Sequence, residues 1–363
     1  MNPSRVVLAM SGGVDSSVAA HLLKEQGHEV VGVFMRTGAV HEDDSCSIDK
    51  PKPNRTRGCC SAIDAADAQR VADRLDIPFY ALDFSEDFGR IQDYFVDEYL
   101  KARTPNPCVV CNTWLKFGKL WDYAKAVGAD YIATGHYAVT KDVAGETHLL
   151  RSPDRAKDQS YFLFGLDYEI LQRVIFPIGG MPKPEVRAIA ERHGLGVAKK
   201  PDSQEICFVP DGDHHGFIQR RRPGAEPVGV IETVEGKVVG THTGVSKFTI
   251  GQRKGLGVAL GKKAFVVELD ADAGRVVIGP EELLRRKSLE AERVNWLTQI
   301  NIGEPIEARV KIRYQHDPTS AVATPLEDNR VHVAFAESQT AVTPGQATVF
   351  YQGDRVLGGG WIC

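Results

Sequence analysis

The run Val6-Val7-Leu8-Ala9-Met10-Ser11-Gly12-Gly13-Val14-Asp15-Ser16-Ser17 decides the fold of this chain. Its first five residues are continuously apolar, as in a parallel strand buried on both faces. Val18-Ala19-Ala20-His21-Leu22-Leu23 then has helical spacing and stops before Gly27. The glycines therefore lie at a strand-to-helix turn. Gly12 and Gly13 lack a Cβ where the backbone bends tightly and a ligand comes close. The first N–H groups of the helix have no intrahelical partner and carry partial positive charge. A phosphate is the natural occupant of such a turn; an ordinary glycine turn is the plain alternative.

The turn is not a Walker loop, because no Gly-Lys-Ser/Thr follows. It resembles Ser-Gly-Gly-x-Asp-Ser, the signature of the PP-loop ATP pyrophosphatases. That resemblance implies a loop that holds the pyrophosphate half of ATP while a substrate oxygen attacks the α-phosphate. The products would be an adenylated substrate and pyrophosphate.

Downstream, Glu29–Met35 reads as a second buried strand and residues 38–60 as a long polar loop with Cys46, Cys59 and Cys60. No paired zinc-ligand spacing accompanies these cysteines. Ala65, Ala68, Val71, Ala72 and Leu75 mark a helix face, and Phe79–Asp83 a third strand. Helices are expected over 86–101 and 113–127, with a loop at 103–111 between them. Tyr131–His136 reads as a fourth strand. This alternation predicts an α/β fold with a doubly wound parallel sheet. Ligands bind outside the carboxyl ends of such strands, where Ser11–Ser17, Met35, the 103–111 loop and Gly135 all fall.

Residues 137–151 read as a hairpin, Asp158–Leu166 and Asp167–Ile175 as helical, Pro182–His193 as a helix, and Glu205–Val209 as a short strand. From about residue 213 the helical pattern fades. Val228–Ile231, Lys237–Val239, Phe248–Ile250 and Ala264–Leu269 are short strands with glycine turns. Ile306–Tyr314, Ala321–Thr324, Arg330–Phe335, Ala347–Tyr351 and Val356–Trp361 repeat that texture, as in a small barrel or sandwich. Domains are expected at 1–212, 213–287 and 288–363, since 363 residues exceed one ordinary core.

No run of 18 apolar residues predicts a membrane span, and no signal-peptide pattern opens the chain, so the expected location is the cytoplasm. Seven cysteines, an odd number without a secreted disulfide spacing, fit chemical rather than structural use in a reducing compartment. The net charge of −4 alone argues against a nucleic-acid binder. The distribution argues otherwise: residues 41–100 hold 14 acidic and 7 basic residues, whereas 199–263 hold 11 basic and 7 acidic. That local basic segment is a candidate polyanion surface, with a solvated mixed-charge face as the alternative.

The loop Arg103-Thr104-Pro105-Asn106-Pro107-Cys108-Val109-Val110-Cys111-Asn112 is stiffened by two prolines. Cys111 is expected at a helix start, where the dipole favours a thiolate that serves as nucleophile or metal ligand. Half a zinc site or a thioredoxin-like pair is the alternative for Cys108 and Cys111. A thioredoxin does not fit these surroundings, and no second Cys-x-x-Cys completes a zinc ribbon.

Here the chain resembles one family nearly end to end, the bacterial tRNA-specific 2-thiouridylases. The matching stretches are Met10–Val18, Thr104–Asn112 with Lys116-Phe117, Ala133–Tyr137, Lys157–Leu163, Asp202–Phe208, Thr249–Leu256 with Gly257, and Thr343–Gln346. The resemblance implies a PP-loop domain, a small central β domain and a C-terminal β-barrel. It implies sulfur insertion at C2 of the wobble uridine of tRNAs for Lys, Glu and Gln. Ala9, Met10, Ser11, Gly12, Gly13, Val14, Asp15, Ser16, Met35 and Gly135 would bind ATP with Mg²⁺. Asn106, Pro107 and Cys108 would face the flipped uridine. Cys111 would be the nucleophile, and Cys207 would carry a persulfide delivered by a donor protein. His136, Lys157, Asp158, Gln159, Arg313, Tyr314 and Gln346 would touch tRNA. Base flipping suits a C2 atom on the Watson–Crick side of the ring.

The family commonly has Asp where this chain has Cys108. A third thiol beside the nucleophile raises an alternative, a four-iron four-sulfur cluster held by Cys108, Cys111 and Cys207 with one iron open to sulfide. Two other functions compete: a PP-loop ligase acting on a small molecule, which has no use for a reactive cysteine pair, and a non-enzymatic RNA-binding protein, which has no use for an intact Ser11–Ser17 loop.

Overall fold

The computed structural model describes residues 3–38, 61–202, 206–259 and 261–363. Cys46, Cys59 and Cys60 lie outside the described residues, with nearly all of the expected 38–60 loop. The chain divides into two compact units, Met1–Ile91 with Cys108–Gly212, and Gln92–Pro107 with Asp213–Cys363.

In the first unit β1 (Arg5–Ala9) leads to α1 (Val14–Glu25), β2 (Glu29–Arg36), α2 (Ala62–Arg74) and β3 (Phe79–Asp83). Then come α3 (Ser85–Leu100), whose second half counts with the other unit, and α4 (Pro107–Val110). A π-helical stretch, Cys111–Lys119, continues directly into α5 (Leu120–Ala126). Next are β4 (Tyr131–Ala133), the hairpin β5 (Ala138–Val143) and β6 (Glu146–Arg151), α6 (Tyr168–Leu171), β7 (Val174–Ile175) and α7 (Lys183–Arg192).

The parallel sheet has the order β3-β2-β1-β4-β7. β1 is central, and Val6, Val7 and Leu8 are fully buried, which is why the run is apolar without alternation. Strand order reverses between β1 and β4, so the crevice at their carboxyl ends is the switch point where such sheets bind ligands. Val18, Ala19, Leu22 and Leu23 of α1 pack with Val186 and Ala190 of α7 and Ala68, Val71 and Ala72 of α2. Small alanines bring the helices close to the sheet, and truncating fully buried Leu23 to Ala would cost about 2–5 kcal/mol. This packing holds the start of α1 rigidly over the end of β1.

Several expected elements differ. Tyr131–His136 is a strand only to Ala133; Thr134, Gly135 and His136 leave the sheet. Asp158–Leu166 is not a helix but holds one 3₁₀ turn, Ser160–Phe162, because the Asp158 carboxylate takes the Ser160 N–H. Asp167–Ile175 is one helical turn capped by Asp167, then the fifth strand, β7. Two β-branched residues are too short a strand for periodicity to reveal. Of the expected strand Glu205–Val209, the described residues 206–209 form none: Cys207 lies in a turn closed by Val209 N–H to the Ile206 carbonyl, at 2.9 Å, and Glu205 lies outside the described residues. Cys111 does not start its helix, which begins at Pro107; it opens the wide-turned stretch one turn later, where the dipole effect has weakened.

In the second unit α8 (His214–Arg221) precedes β8 (Gly229–Thr233), β9 (Val238–His242), β10 (Phe265–Asp270) and β11 (Arg275–Gly279), which form a four-stranded sheet in the order β10-β11-β8-β9. Phe248 packs into the core of this sheet, yet Phe248–Ile250 joins no strand; a 3₁₀ turn at Val245–Lys247 precedes it. The remaining strands are β12 (Arg285–Trp296), β13 (Ile306–Lys311), β14 (Thr319–Leu326), β15 (Arg330–Thr340), β16 (Ala347–Gln352) and β17 (Arg355–Ile362). They pair as β12-β15-β14-β13-β16-β17, and β12 pairs back with β17, closing a six-stranded barrel. Closure removes free edges. Its core includes Val310, Ala323, Val331, Val333 and Phe350. The fold is thus the expected parallel α/β domain followed by two β domains. The sequence reading missed β12, because only Leu289, Ala291 and Val294 of its twelve residues are buried and all the others but Trp296 read as polar. The expected strand to Tyr314 ends at Lys311.

Candidate functional site

The Ser11–Ser16 turn joins β1 to α1, and Gly135 follows β4, so both lie at the switch point. Gly13 caps α1 without a side-chain hydrogen bond, leaving the cap's N–H groups to a ligand. Ser16 Oγ instead accepts from Ser11 N–H at 3.2 Å and donates to the Gly13 carbonyl at 3.3 Å, which braces the turn from inside. A Cβ on Gly135 would lie 2.7 Å from Ser16 N and 2.8 Å from the Asp15 carbonyl carbon. Glycine is therefore needed there for close approach of β4 and α1, with no demand on its φ.

Asp15, in the first turn of α1, accepts from the Tyr137 hydroxyl at 2.7 Å and from Lys183 Nζ at 2.8 Å on each oxygen. Lys183 is the first residue of α7, and its buried ammonium also sits 2.8 Å from Asp202 Oδ1. A cation at a helix N-terminus opposes the macrodipole, so the two carboxylates are what hold it there. Asp202 further accepts from Lys157 Nζ at 2.7 Å and from Arg187 at 2.8 Å. Burial works to raise the Asp202 pKa, but hydrogen bonds from Lys157 and Lys183 outweigh it and hold the carboxyl at about 2. With Asp154 accepting from the Lys183 backbone N–H at 3.0 Å, three carboxylates face the three cations beside the bare helix start. Burial, reinforced by Asp15, pushes the Tyr137 phenol up, so it stays a donor.

A second cluster lies behind the turn. Lys200 Nζ donates to the Gly12 carbonyl at 2.8 Å, to Asp64 Oδ1 at 2.5 Å and to Asp67 Oδ2 at 2.7 Å. Asp64 is the third residue of α2 and forms a capping box with Ser61.

Three family models cover the chain. "tRNA methyl transferase HUP domain" matches residues 4–211, "tRNA methyl transferase PRC-barrel domain" 215–280, and "Aminomethyltransferase beta-barrel domain" 286–362. The chain is 52% identical to the tRNA-specific 2-thiouridylase MnmA of Rhodopirellula baltica, over 99% of this chain and 96% of that protein. It is 50% identical to the namesake of Geobacter metallireducens, covering 99% and 96%. It is 46% identical to that of Clostridium perfringens, covering 100% and 99%. The chain belongs to the tRNA-specific 2-thiouridylase family.

Within this 2-thiouridylase fold, Ala9, Met10 and Met35 lie at or beside the carboxyl ends of β1 and β2, and Val14 opens α1. Cys111 and Cys207 are both partly exposed and Cys108 is exposed, and none of the three is in a disulfide. The wide helical turns beginning at Cys111 are a geometry frequent at functional sites. Among the described residues no group of three or more His, Cys, Asp or Glu is arranged to hold a metal ion. Among the described residues, Cys108, Cys111 and Cys207 are not gathered as three cluster ligands.

The expected tRNA contacts divide. His136 is buried between Phe117 and Phe176, and Thr134 Oγ1 lies 2.7 Å from its Nδ1. Burial, with Lys116 nearby, holds its pKa well below the ordinary imidazole range, so it is neutral. Asp158 is also buried; its carboxylate accepts from Arg151 at 2.8 Å and from two backbone N–H groups. Gln159 exchanges hydrogen bonds with the Tyr137 backbone. Lys157 is engaged by Asp202. In the other unit, Gln346 Nε2 donates to the Thr104 and Pro105 carbonyls at 3.1 and 3.2 Å, bracing the chain that leads to buried Asn106 and to Pro107. Arg313 donates to the Thr340 carbonyl, and Lys311 Nζ lies 5.2 Å from the Tyr314 ring centre.

Sequence reasoning missed Tyr137, Lys183, Lys200, Asp64 and Asp67 as site residues. Lys183 carried one signal, a lysine in the acid-preferring first turn of a helix. Lys200 and Asp64, 136 positions apart, carried none.

Proposed function

We propose that this chain is a tRNA-uridine 2-sulfurtransferase that thiolates the wobble uridine of tRNAs for Lys, Glu and Gln. The observation that carries the reading is the uncapped Ser11–Ser16 turn at the β1/β4 switch point, in a unit that also holds Cys111 and Cys207, neither of them in a disulfide. The turn and Gly135 receive ATP, and the bare N–H groups of α1 face its phosphates. Asp15 fits Mg²⁺, since its carboxylate already takes an ammonium on both oxygens and Mg²⁺ is bound by one or two carboxylates plus substrate phosphates. The metal would neutralise phosphate charge there.

The uridine C2 oxygen attacks the α-phosphorus, and pyrophosphate leaves. The terminal sulfur of a Cys207 persulfide then attacks C2, and AMP leaves with the original oxygen. Cys111 thiolate attacks the Cys207 sulfur and breaks the S–S bond. Sulfur remains on C2, and a Cys111–Cys207 disulfide forms. A thiol reductant and a persulfide donor protein reset the pair for the next turnover. Cys108 lies where the family commonly has Asp and acts near the base as a thiol. The domain limits 1–212, 213–287 and 288–363 and a cytoplasmic location belong to the same proposal.

The test is purified protein with a substrate tRNA, ATP and a persulfide donor. Nucleoside mass analysis should show one oxygen exchanged for sulfur at the wobble uridine, with AMP and pyrophosphate released. Stoichiometric ADP, or AMP without thiolated nucleoside, would overturn the reading.

A further inference from the structure

We propose that Lys200 is the positioning residue of the nucleotide turn: by holding the Gly12 carbonyl it aims the Gly13 N–H at the ATP phosphates. The inference rests on the ATP-binding reading of Ser11–Ser16. A trans peptide is planar, with its C=O and N–H on opposite sides. The peptide between Gly12 and Gly13 therefore points its N–H away from whatever its carbonyl faces. That carbonyl faces Lys200 Nζ at 2.8 Å. The ammonium is itself fixed by Asp64 Oδ1 and Asp67 Oδ2, on the first two turns of α2.

The device is needed because this peptide has glycine on both sides. Gly12 sits at φ +71° and its missing Cβ would meet the Asp64 carbonyl oxygen, so no side chain is tolerated to stiffen it. Without a grip, a peptide flanked by two glycines rotates readily. A rotated peptide would present a carbonyl, not an N–H, to a phosphate. Lys200 and its carboxylates are mostly shielded, with side-chain exposures of 14% for Lys200, 4% for Asp64 and 14% for Asp67, so their attraction is weakly screened. Lys200 thus acts through the loop's backbone, unlike a Walker lysine, which reaches the β/γ-phosphates itself.

The experiment measures binding of a non-hydrolysable ATP analogue without tRNA, then KM for ATP and kcat with tRNA. Lys200→Met should raise the analogue Kd and the KM about tenfold or more, about 1.4 kcal/mol, and leave tRNA affinity unchanged. Lys200→Arg, whose guanidinium can still donate to the carbonyl, should recover most of the loss. Asp67→Asn, which loosens the ammonium's anchorage but leaves the Gly12 contact in place, should raise the analogue Kd by less than Lys200→Met does. Lys200→Met that folds and binds the analogue as wild type does would overturn the inference. Where Lys200→Met does not fold, the wild-type protein labelled with ¹⁵N-glycine decides: the Gly13 amide must shift and gain exchange protection with the analogue, and an unchanged Gly13 amide overturns the inference. Wild-type protein that binds no ATP at all would instead strike down the underlying reading of the turn.

Discussion

Gly135→Ala is the sharpest perturbation of the proposed ATP site. The added Cβ would stand 2.7 Å from Ser16 N, 2.8 Å from the Asp15 carbonyl carbon and 3.1 Å from Asp15 Cβ. Ordinary contact begins near 3.4 Å, and two of the three atoms are backbone, which cannot rotate aside. The end of β4 and the first turn of α1 must therefore separate. Overpacking of this kind costs about 1–3 kcal/mol of stability. The larger effect is on activity, since a misplacement approaching 1 Å at a reacting centre can cost about 10²-fold. Asp15 and its contacts to Tyr137 and Lys183 would move with the helix start. The assay is AMP release at saturating tRNA, with urea unfolding in parallel. Gly180→Ala is the control, because a Cβ there meets nothing within 4 Å; it should leave stability within about 0.5 kcal/mol. Gly135→Ala protein with wild-type ATP affinity and AMP release would refute the claim that the β4–α1 contact shapes the site.

Lys183→Met takes the ammonium from Asp15 while Asp202 keeps Lys157 and Arg187; a loss of about 1–3 kcal/mol is expected from urea unfolding, and an unchanged midpoint would show that the pair is not coupled. Because burial lowers the pKa of His136, and likewise of His21 stacked on His193, the unfolded chain binds more protons below about pH 6.5. Stability should be flat from neutral pH to about 6.5 and fall from there towards pH 5, with a smaller fall in His136→Gln; an equal fall in that variant would remove His136 as a cause. Arg253 and Lys254 are both exposed, and changing both to Ala should weaken tRNA binding and reduce its salt dependence without altering ATP affinity. Unchanged tRNA binding at moderate salt would show that the basic segment is not the RNA surface. Cys108→Ala should retain appreciable thiolation with persulfide-charged, iron-free protein, whereas Cys111→Ala and Cys207→Ala should abolish it; equal loss in all three would favour a shared metal centre.

The sequence by itself determined the architecture and the chemical vocabulary of this protein. The apolar run Val6–Met10 reads as a doubly buried strand because it is too short for a buried helix and ends at a glycine turn. The turn reads as a phosphate site because glycines and helix N–H groups are local features. Tertiary structure alone decided the order β3-β2-β1-β4-β7, since β7 is two residues long and its pairing with β4 is set by register rather than periodicity. It also decided that His136 and Asp158 are buried, that Cys207 sits in a turn, and that β12 is a strand despite its polar run. Above all it joined Asp15 to Lys183, 168 residues away, and Gly12 to Lys200, 188 residues away. Contacts of that separation leave no spacing to read, because the chain is free to close any long loop at nearly the same entropic cost.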